Sequence, residues 1–331
     1  MQKRFVAIRE AVPGPAWLAR FVAGRREAEA WYCGSGRGEP PTVRECAKAL
    51  CTYMPELVVP YERACALVGD DESAHQILSQ WRPPPLPCGC TQAIWLGDEG
   101  PALLRNYDYP IETVSDYFES TSWFGREVIS KGQRPWGGCT DGMNADGLVA
   151  SLTFGGSPAQ GLGFAVILIL RYVLETCTRV PEAVGVLCRI PVALSHNVTL
   201  LDRSGDHATV HLCPGRAPEV SRVLACANHQ EPIPSAGSAG PAISSIQRQL
   251  TALRALEDSI ATLPSVVAVF LTAPLYSRAA RSPTVYSAVY RPADLQVDYL
   301  WPGRVMTQRI GGFEPVEYVH DYGGLSGATC Q

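Results

Sequence analysis

Cys90 has the surroundings of a nucleophile that is released by cleavage of its own chain. It follows Cys88 and Gly89, lies behind four prolines between positions 83 and 87, and begins a strand-like stretch. A thiol attacks a carbonyl as the thiolate, so it needs a base, and the segment from Trp81 to Pro110 contains no histidine. If the chain is cut before Cys90, the new α-amine, with a pKa of about 8, can accept the thiol proton. Since glycine tolerates the strained backbone that such a cut requires, we predict self-cleavage between Gly89 and Cys90.

Two short β-rich runs bring further side chains to this thiol. The runs Gln92–Leu96 and Pro101–Tyr107 flank a Gly-Asp-Glu-Gly loop that is typical of a hairpin. If the two ends next to the loop pair with each other, Cys90 lies opposite Tyr107, with Arg105 and Asp108 nearby. Side chains alternate between the faces of a strand, so Arg105 and Asp108 cannot both point with Cys90 along a regular ladder. Either the strand ends or bulges before Asp108, or Asp108 contacts the backbone nitrogen of Cys90.

Four motifs in a fixed order carry a family resemblance. They are CTQAIWLGDEGPALLRNYDYP from Cys90, GCTDGMNADGL at 138–148, NVTLLDRSG at 197–205 and ANH at 227–229. Together they resemble the acyl-coenzyme A:isopenicillin N (6-aminopenicillanic acid) acyltransferase family, peptidase C45, among the N-terminal nucleophile hydrolases. Penicillin V acylase, bile salt hydrolase and acid ceramidase are wider relatives of that family. The resemblance covers most of residues 88–331, whereas the first 87 residues resemble nothing specific.

The resemblance implies a fold and a division of the chain. The expected fold class is α+β, a four-layer αββα sandwich with Cys90 at the start of a central strand. Residues 1–89 would form a helical pro-segment that stays docked as a small subunit after cleavage, and residues 90–331 the catalytic domain. The alternative for the first section is an ordinary helical subdomain.

The resemblance also implies roles for individual residues. Cys90 would be the nucleophile, Asp108 would hold its α-ammonium group, and Arg105 would position the substrate carbonyl or line the pocket. Asn197 is the expected oxyanion donor, because a side-chain N–H can stabilise the negative oxygen of the transition state, and Asn228 is a rival for that role. The remaining substrate contacts expected are Tyr107, Thr153 and Asn228. Arg105 stands where the acyltransferase branch tends to have glutamine, which favours the hydrolases, and Thr153 stands where bile salt hydrolases have asparagine.

The expected activity is therefore hydrolysis or acyl transfer through a Cys90 acyl-enzyme. The substrate would be a small N-acyl amide or an acyl thioester such as acyl-coenzyme A, and neither a cofactor nor a metal is needed. Two other classes stay open. One is a catalytically inactive family member that acts as a binding protein; the other is a thiol-redox or metal-binding protein that uses Cys88 and Cys90.

Composition and charge restrict the binding partners and the cellular compartment that we expect for this protein. The 331 residues are 46% hydrophobic and 18% charged, with a net charge of -4, which gives no basis for binding nucleic acid or an anionic membrane. The first residues lack the apolar core of a signal peptide, and the longest apolar run, Phe164–Leu170, is too short to span a bilayer. Twelve cysteines in such a chain indicate reduced thiols, so we expect a cytoplasmic protein, with a homo-oligomer allowed.

Periodicity predicts the elements that position these residues. The helices expected are Ala16–Ala30, Val43–Tyr53, Leu57–Val68, Phe164–Cys177, Val180–Cys188 and Ala242–Leu256. The further strands expected are Leu148–Phe154, Val198–Leu201, Ala208–Leu212, Thr284–Tyr290 and Gln296–Leu300. A Pro-Ser-Ala-Gly stretch ending at Pro241 should be a linker, and the tail from Gly311 should be peripheral.

Overall fold

The computed structural model describes residues 1–33, 39–85, 89–133, 137–230 and 241–323. The strands over these residues are β1 (Gln2–Arg9), β2 (Gly89–Trp95), β3 (Ala102–Asp108), β4 (Tyr117–Thr121), β5 (Val128–Gln133), β6 (Gly138–Asn144), β7 (Val149–Phe154), β8 (His196–Leu201), β9 (His207–Leu212), β10 (Glu219–Ser221), β11 (Ala225–Cys226), β12 (Thr284–Arg291), β13 (Gln296–Trp301), β14 (Arg304–Arg309) and β15 (Val316–Asp321). The helices are α1 (Pro15–Cys33), α2 (Val43–Tyr53), α3 (Val58–Val68), α4 (Glu72–Ser79), α5 (Val166–Thr176), α6 (Val180–Arg189), α7 (Pro241–Glu257) and α8 (Leu263–Phe270).

Two sheets face each other across the centre of the molecule. The larger sheet has the order β10-β9-β8-β7-β6-β5-β4-β1-β15, and the smaller one has the order β11-β2-β3-β12-β13-β14. The core between them contains Phe118 and Val149 from the larger sheet and Cys90, Leu103 and Tyr286 from the smaller one. Cys90 therefore belongs to a strand whose inner face is covered by a second sheet.

Helices cover the outer face of each sheet. Helix α5 is apolar on nearly every side and packs with α6 on β6–β9, so Ile169 and Leu174 share a core with Val198. Helices α7 and α8 cover the smaller sheet, where Phe270 packs with Ala93 and Leu104. The result is helix, sheet, sheet, helix, so the predicted α+β sandwich of four layers is confirmed.

The first section of the chain is not purely helical, which corrects the description of residues 1–89 as a helical segment. Strand β1 lies inside the larger sheet, parallel to β4 and antiparallel to β15. Its alternation buries Phe5 and Ala7 between the sheets, and Phe5 lies 5.2 Å from Trp301 between ring centroids. The tail is likewise part of the sheet, because β15 is its edge strand.

Most of the predicted helices and strands are present within a residue or two of the expected bounds. Helices α4 and α8 and strands β1, β4, β5, β6, β10, β11, β14 and β15 have no counterpart in the prediction. Cys88 and all but the last residue of the predicted linker lie outside the described residues. Among the described helices, none combines the length and the apolar character needed to cross a bilayer.

Candidate active site

The hairpin of β2 and β3 positions the thiol as the sequence predicts. Cys90 pairs with Tyr107, and Gln92 pairs with Arg105. Since alternate residues share a face, Arg105 lies on the same face as Cys90 and points into the space between the sheets. Cys90 and Arg105 are both completely buried.

Arg105 connects the thiol to the opposite sheet. Its Nη2 lies 3.4 Å from the Sγ atom of Cys90. Its Nη1 donates to the hydroxyl of Ser151 at 2.6 Å and to the carbonyl oxygens of Leu152 at 2.7 Å and Thr140 at 3.0 Å. The guanidinium group is therefore held by β6 and β7 while one of its nitrogens reaches the sulfur. A cation at this distance favours the thiolate form of cysteine.

Asp108 lies next to Cys90 in a different way from the one expected. Strand β3 continues without a bulge to Asp108, which pairs with Gly89, and the bulge is in the neighbouring strand β12 instead. The carboxylate accepts a hydrogen bond from Thr284 Oγ1 at 2.7 Å and forms an ion pair with Arg248 at 3.8 Å. Burial raises the pKa of Asp108, and the charge of Arg248 opposes that rise.

Gly89 allows the two strands to approach at the predicted cleavage site. A Cβ atom at this position would lie 3.1 Å from the Cβ atom of Asp108 and 3.5 Å from the hydroxyl of Ser282. The contact with Asp108 is tighter than most Cβ atoms accept, whereas the one with Ser282 is an ordinary contact. Glycine therefore fits the residue before Cys90 for a steric reason.

Asn228 and Arg248 hold the backbone of Cys90. The backbone N–H of Cys90 donates to Asn228 Oδ1 at 2.9 Å, and Arg248 donates to the carbonyl oxygen of Cys90 at 2.6 Å. Arg248 also donates to the hydroxyl of Thr91 at 2.5 Å and to Asn228 Oδ1 at 2.7 Å. Because its oxygen accepts two hydrogen bonds, the amide of Asn228 directs its NH₂ group the other way, to the carbonyl oxygen of Phe154 at 3.3 Å.

The sequence analysis did not identify Arg248. It lies on α7, 158 residues after Cys90. This helix contains several other polar residues, and nothing in its sequence distinguishes Arg248 from them. The sequence carries no signal for it, because the burial of Arg248, which is only 9% exposed, is a property of the folded chain. A buried guanidinium group needs an acceptor, and the start of β2 provides one.

Asn197 supports the segment that carries Asn228. Its side-chain NH₂ group donates to Thr153 Oγ1 at 3.2 Å and to the carbonyl oxygens of Ala227 and His229 at 3.1 Å each. The hydroxyl of Thr153 donates to Ala227 O at 3.0 Å. The structure thus joins Asn197 and Thr153 to the residues on either side of Asn228. The donor capacity of Asn197 is used within the protein.

Tyr107, the other residue predicted to contact substrate, is 1% exposed. Its ring stacks on Tyr109 with centroids 5.6 Å apart, and Arg105 lies over it at 5.0 Å. This packing holds the guanidinium in place, and contact with substrate remains a prediction. In the described part of the chain, no group of three or more His, Cys, Asp or Glu side chains is arranged to hold a metal ion.

The assembled site combines the thiol of Cys90, the guanidinium group of Arg105 and hydrogen bonds that fix the backbone of Cys90. Arg105 faces the sulfur, whereas Asn228 and Arg248 hold the nitrogen and the carbonyl oxygen of the same cysteine. A site of this kind can stabilise a thiolate and fix the position of the Cys90 nitrogen relative to its sulfur.

Several solved structures are similar to this chain. Penicillin V acylase from Agrobacterium tumefaciens is 18% identical over 67% of this chain and 86% of that one, with a TM-score of 0.47. A mutant of conjugated bile acid hydrolase from Clostridium perfringens is 13% identical over 71% of this chain and 97% of that one, with a TM-score of 0.48. An N-acylethanolamine-hydrolyzing acid amidase ortholog from Caenorhabditis elegans is 16% identical over 62% of this chain and 93% of that one, with a TM-score of 0.46.

A search of curated proteins found no match. A comparison with protein families did find one. The family described as acyl-coenzyme A:6-aminopenicillanic acid acyl-transferase matches residues 95–305, which is more than half of the chain. The chain therefore belongs to this family.

Proposed function

We propose that this protein cleaves its own Gly89–Cys90 bond and then uses the N-terminal Cys90 to hydrolyse or transfer the acyl group of a small N-acyl amide or acyl thioester. The observation that carries the proposal is the double contact at Cys90. Arg105 approaches its sulfur at 3.4 Å, and Asn228 accepts from its nitrogen at 2.9 Å. A buried structural cysteine would also need an acceptor for its backbone N–H, but it would not need an arginine beside its sulfur.

Maturation begins with attack of the Cys90 sulfur on the carbonyl carbon of Gly89. The C–S bond forms, the C–N bond breaks, and the Cys90 nitrogen takes a proton to become an amine. Water then hydrolyses the thioester, giving a carboxylate at Gly89 and a free thiol at Cys90. Asn228, which binds the nitrogen before cleavage, supports this step by fixing the group that leaves.

Turnover uses the same atoms. The α-amine of Cys90 accepts the thiol proton, and the sulfur attacks the acyl carbonyl of the substrate. The amine leaving group takes that proton as the C–N bond breaks, which leaves an acyl-enzyme. Water resolves it in a hydrolase, and a second amine resolves it in an acyltransferase. Where the substrate is an acyl thioester such as acyl-coenzyme A, the thiol is the leaving group instead.

The remaining site residues have supporting roles in this proposal. Arg105 stabilises the thiolate, and Asp108 with Arg248 sets the charge around the new α-ammonium group. We assign oxyanion donation to backbone N–H groups and to the side-chain amide of Asn228, which contacts the Cys90 nitrogen and would have to turn its NH₂ group from the carbonyl oxygen of Phe154 toward the substrate. Asn197 lies behind that segment, and its NH₂ group binds Thr153, Ala227 and His229. We propose that the enzyme acts in the cytoplasm, where buried cysteines such as Cys46, Cys139 and Cys226, which form no disulfide, would stay reduced.

Intact mass under denaturing, reducing conditions tests the proposal. We expect two fragments, residues 1–89 and 90–331, the larger one beginning with Cys90. Cys90→Ala should remain one chain, whereas Cys226→Ala, which changes another buried cysteine next to the site, should still be cleaved. The cleaved protein should then release the acyl group from a panel of N-acyl amides and acyl thioesters.

Three results would contradict the proposal wholly or in part. A wild-type chain that stays intact would remove the reason for the α-amine mechanism. A large fragment beginning at Cys88 would keep the mechanism and move the nucleophile. Correct cleavage without turnover of any acyl amide or thioester would instead favour a binding protein.

A further inference from the structure

Asp141 is a buried carboxylate surrounded by hydroxyl groups. It lies on β6 and is completely buried. Its Oδ1 accepts hydrogen bonds from Tyr286 at 2.5 Å and Thr140 at 2.7 Å, and its Oδ2 accepts one from Tyr290 at 2.6 Å. Three hydroxyl donors on one carboxylate fit the ionised form, which can only accept hydrogen bonds.

Asp141 is also the carboxylate nearest to Arg105. Its Oδ1 lies 3.5 Å from Nε of Arg105, and both side chains are fully buried. Arg105 therefore lies between two groups, with the Asp141 carboxylate at Nε and the Cys90 sulfur 3.4 Å from Nη2. In a buried environment little water screens these interactions, so a change of charge at one end is felt at the other.

We propose that Asp141 is a positioning residue that acts through Arg105 to set the pH at which the thiol of Cys90 ionises. This inference rests on the proposed role of Cys90 as nucleophile. The negative charge of Asp141 offsets part of the positive charge of Arg105. Less of that positive charge then remains to stabilise the thiolate, so the thiol ionises at a higher pH than beside an uncompensated arginine.

Other groups around this pair also contribute to the field. The charged and titratable side chains on the elements packed around it include Arg105, Tyr107 and Asp108 on β3, Lys131 on β5, Cys139 on β6, Arg248 on α7, Tyr286 and Tyr290 on β12 and Tyr299 on β13. The α-amine of Cys90 adds a further charge after cleavage. Among these groups, Asp141 combines a negative charge with an ion-pair contact to Arg105. Removing that charge should therefore lower the pH at which the thiol of Cys90 ionises.

The experiment measures the alkylation of Cys90 by iodoacetamide as a function of pH, with peptide mass spectrometry to follow this cysteine alone. Asp141→Asn keeps the shape of the side chain and removes its charge. We expect the pH of half-maximal alkylation to fall by about 0.5 to 1 unit. Thr140→Val removes one hydroxyl donor from Asp141 and leaves more of its charge for Arg105, so the midpoint should rise by a smaller amount.

Asn106→Ala is the matched control for structural damage. Asn106 is buried on the same strand as Arg105, and its side chain donates to the carbonyl oxygens of Phe270 and Leu275 on the other face of the sheet. The Asn106→Ala substitution should lower the free energy of unfolding and leave the pH of half-maximal alkylation of Cys90 unchanged. If the Asp141→Asn midpoint equals that of the wild type, or moves only as far as that of Asn106→Ala, the inference is wrong.

Two further readouts keep the result interpretable. If Asp141→Asn does not fold, Thr140→Val decides, because an unchanged or lowered midpoint in that variant overturns the inference. The intact mass of the wild-type sample is recorded separately. An uncleaved wild-type chain contradicts the proposed nucleophile, whereas a cleaved chain with unshifted midpoints contradicts only the role of Asp141.

Discussion

At the scale of single residues, two asparagines near Cys90 have different surroundings, and Asn197 is buried whereas Asn228 is partly buried. Asn228 touches the Cys90 nitrogen, whereas Asn197 binds the segment on either side of Asn228. If the NH₂ group of Asn228 stabilises the oxyanion, Asn228→Ala should slow self-cleavage about 10²- to 10³-fold. Asn197→Ala should mainly lower the free energy of unfolding, by about 1 to 3 kcal/mol, because it leaves buried carbonyl groups without a donor.

Self-cleavage followed by intact mass, together with thermal denaturation, distinguishes the two asparagines. This pair of measurements needs no substrate. The reverse pattern, in which Asn197→Ala abolishes cleavage in a stable protein and Asn228→Ala does not, would restore Asn197 as the oxyanion donor.

The sequence predicts the neighbours of Cys90 on the same hairpin better than the neighbours that lie far away in the sequence. The pairing of Cys90 with Tyr107 follows from the loop and the alternation of residues, and it is confirmed. The contacts of Arg248 and Asp141 depend on how a helix and a second sheet pack on that hairpin. The residues around Arg248 and Asp141 in the sequence do not show this packing, because the type of a charged residue does not reveal whether its side chain is buried or exposed.

At the scale of elements, the turn after β7 presses against the Asn228 segment. Gly156 has a φ of 82°, and a Cβ atom there would lie 2.8 Å from the carbonyl oxygen of Asn228. Gly156→Ala should therefore displace Asn228, and we expect self-cleavage to slow at least about tenfold, since small displacements in a catalytic site are costly.

Gly215→Ala provides the matched control. Gly215 has a φ of 75°, but a Cβ atom there would have nothing within 4 Å. Both variants should lose about 1 kcal/mol of stability from the backbone conformation. Only Gly156→Ala should slow cleavage, as measured by intact mass over time. Equal cleavage rates would show that the turn does not hold Asn228.

Three of the strands that the sequence analysis missed have weak local signals. Strand β1 alternates in burial around Phe5 and Ala7, but charged residues at both ends disguise the pattern. Strands β14 and β15 are edge strands with many exposed side chains. Helix α5, by contrast, was predicted because nearly all of its residues are apolar, as a helix packed against a sheet should be.

At the scale of the whole molecule, both sides of the proposed cleavage site contribute to shared cores. Phe5 packs with Phe118 and Trp301 between the sheets, and Met54 and Leu57 pack with the residues of α5. Cleavage at Gly89 breaks one peptide bond and none of these contacts. Fragments 1–89 and 90–331 should therefore co-elute as one species in size-exclusion chromatography and separate only in denaturant.

Cys90→Ala, as an uncleaved chain, gives the reference elution volume for this prediction. An elution volume shared by the cleaved and uncleaved proteins is expected. Release of the small fragment in native buffer would contradict the prediction that it stays docked as a subunit.

The four-layer architecture follows from the family resemblance and from the hydrophobic pattern after residue 90. The place of the first section does not, because its strand pairs with segments more than a hundred residues away. Pairing over such distances is decided by the assembled sheet.

The position of β1 has a consequence for synthesis on the ribosome. One neighbour of this strand is β4, and its other neighbour is β15, which begins at Val316. One edge of β1 thus stays open until β15 has been made, and an open edge can pair with another chain. The sheet is completed only when Val316–Asp321 has emerged, so a message that ends earlier yields a product prone to aggregation.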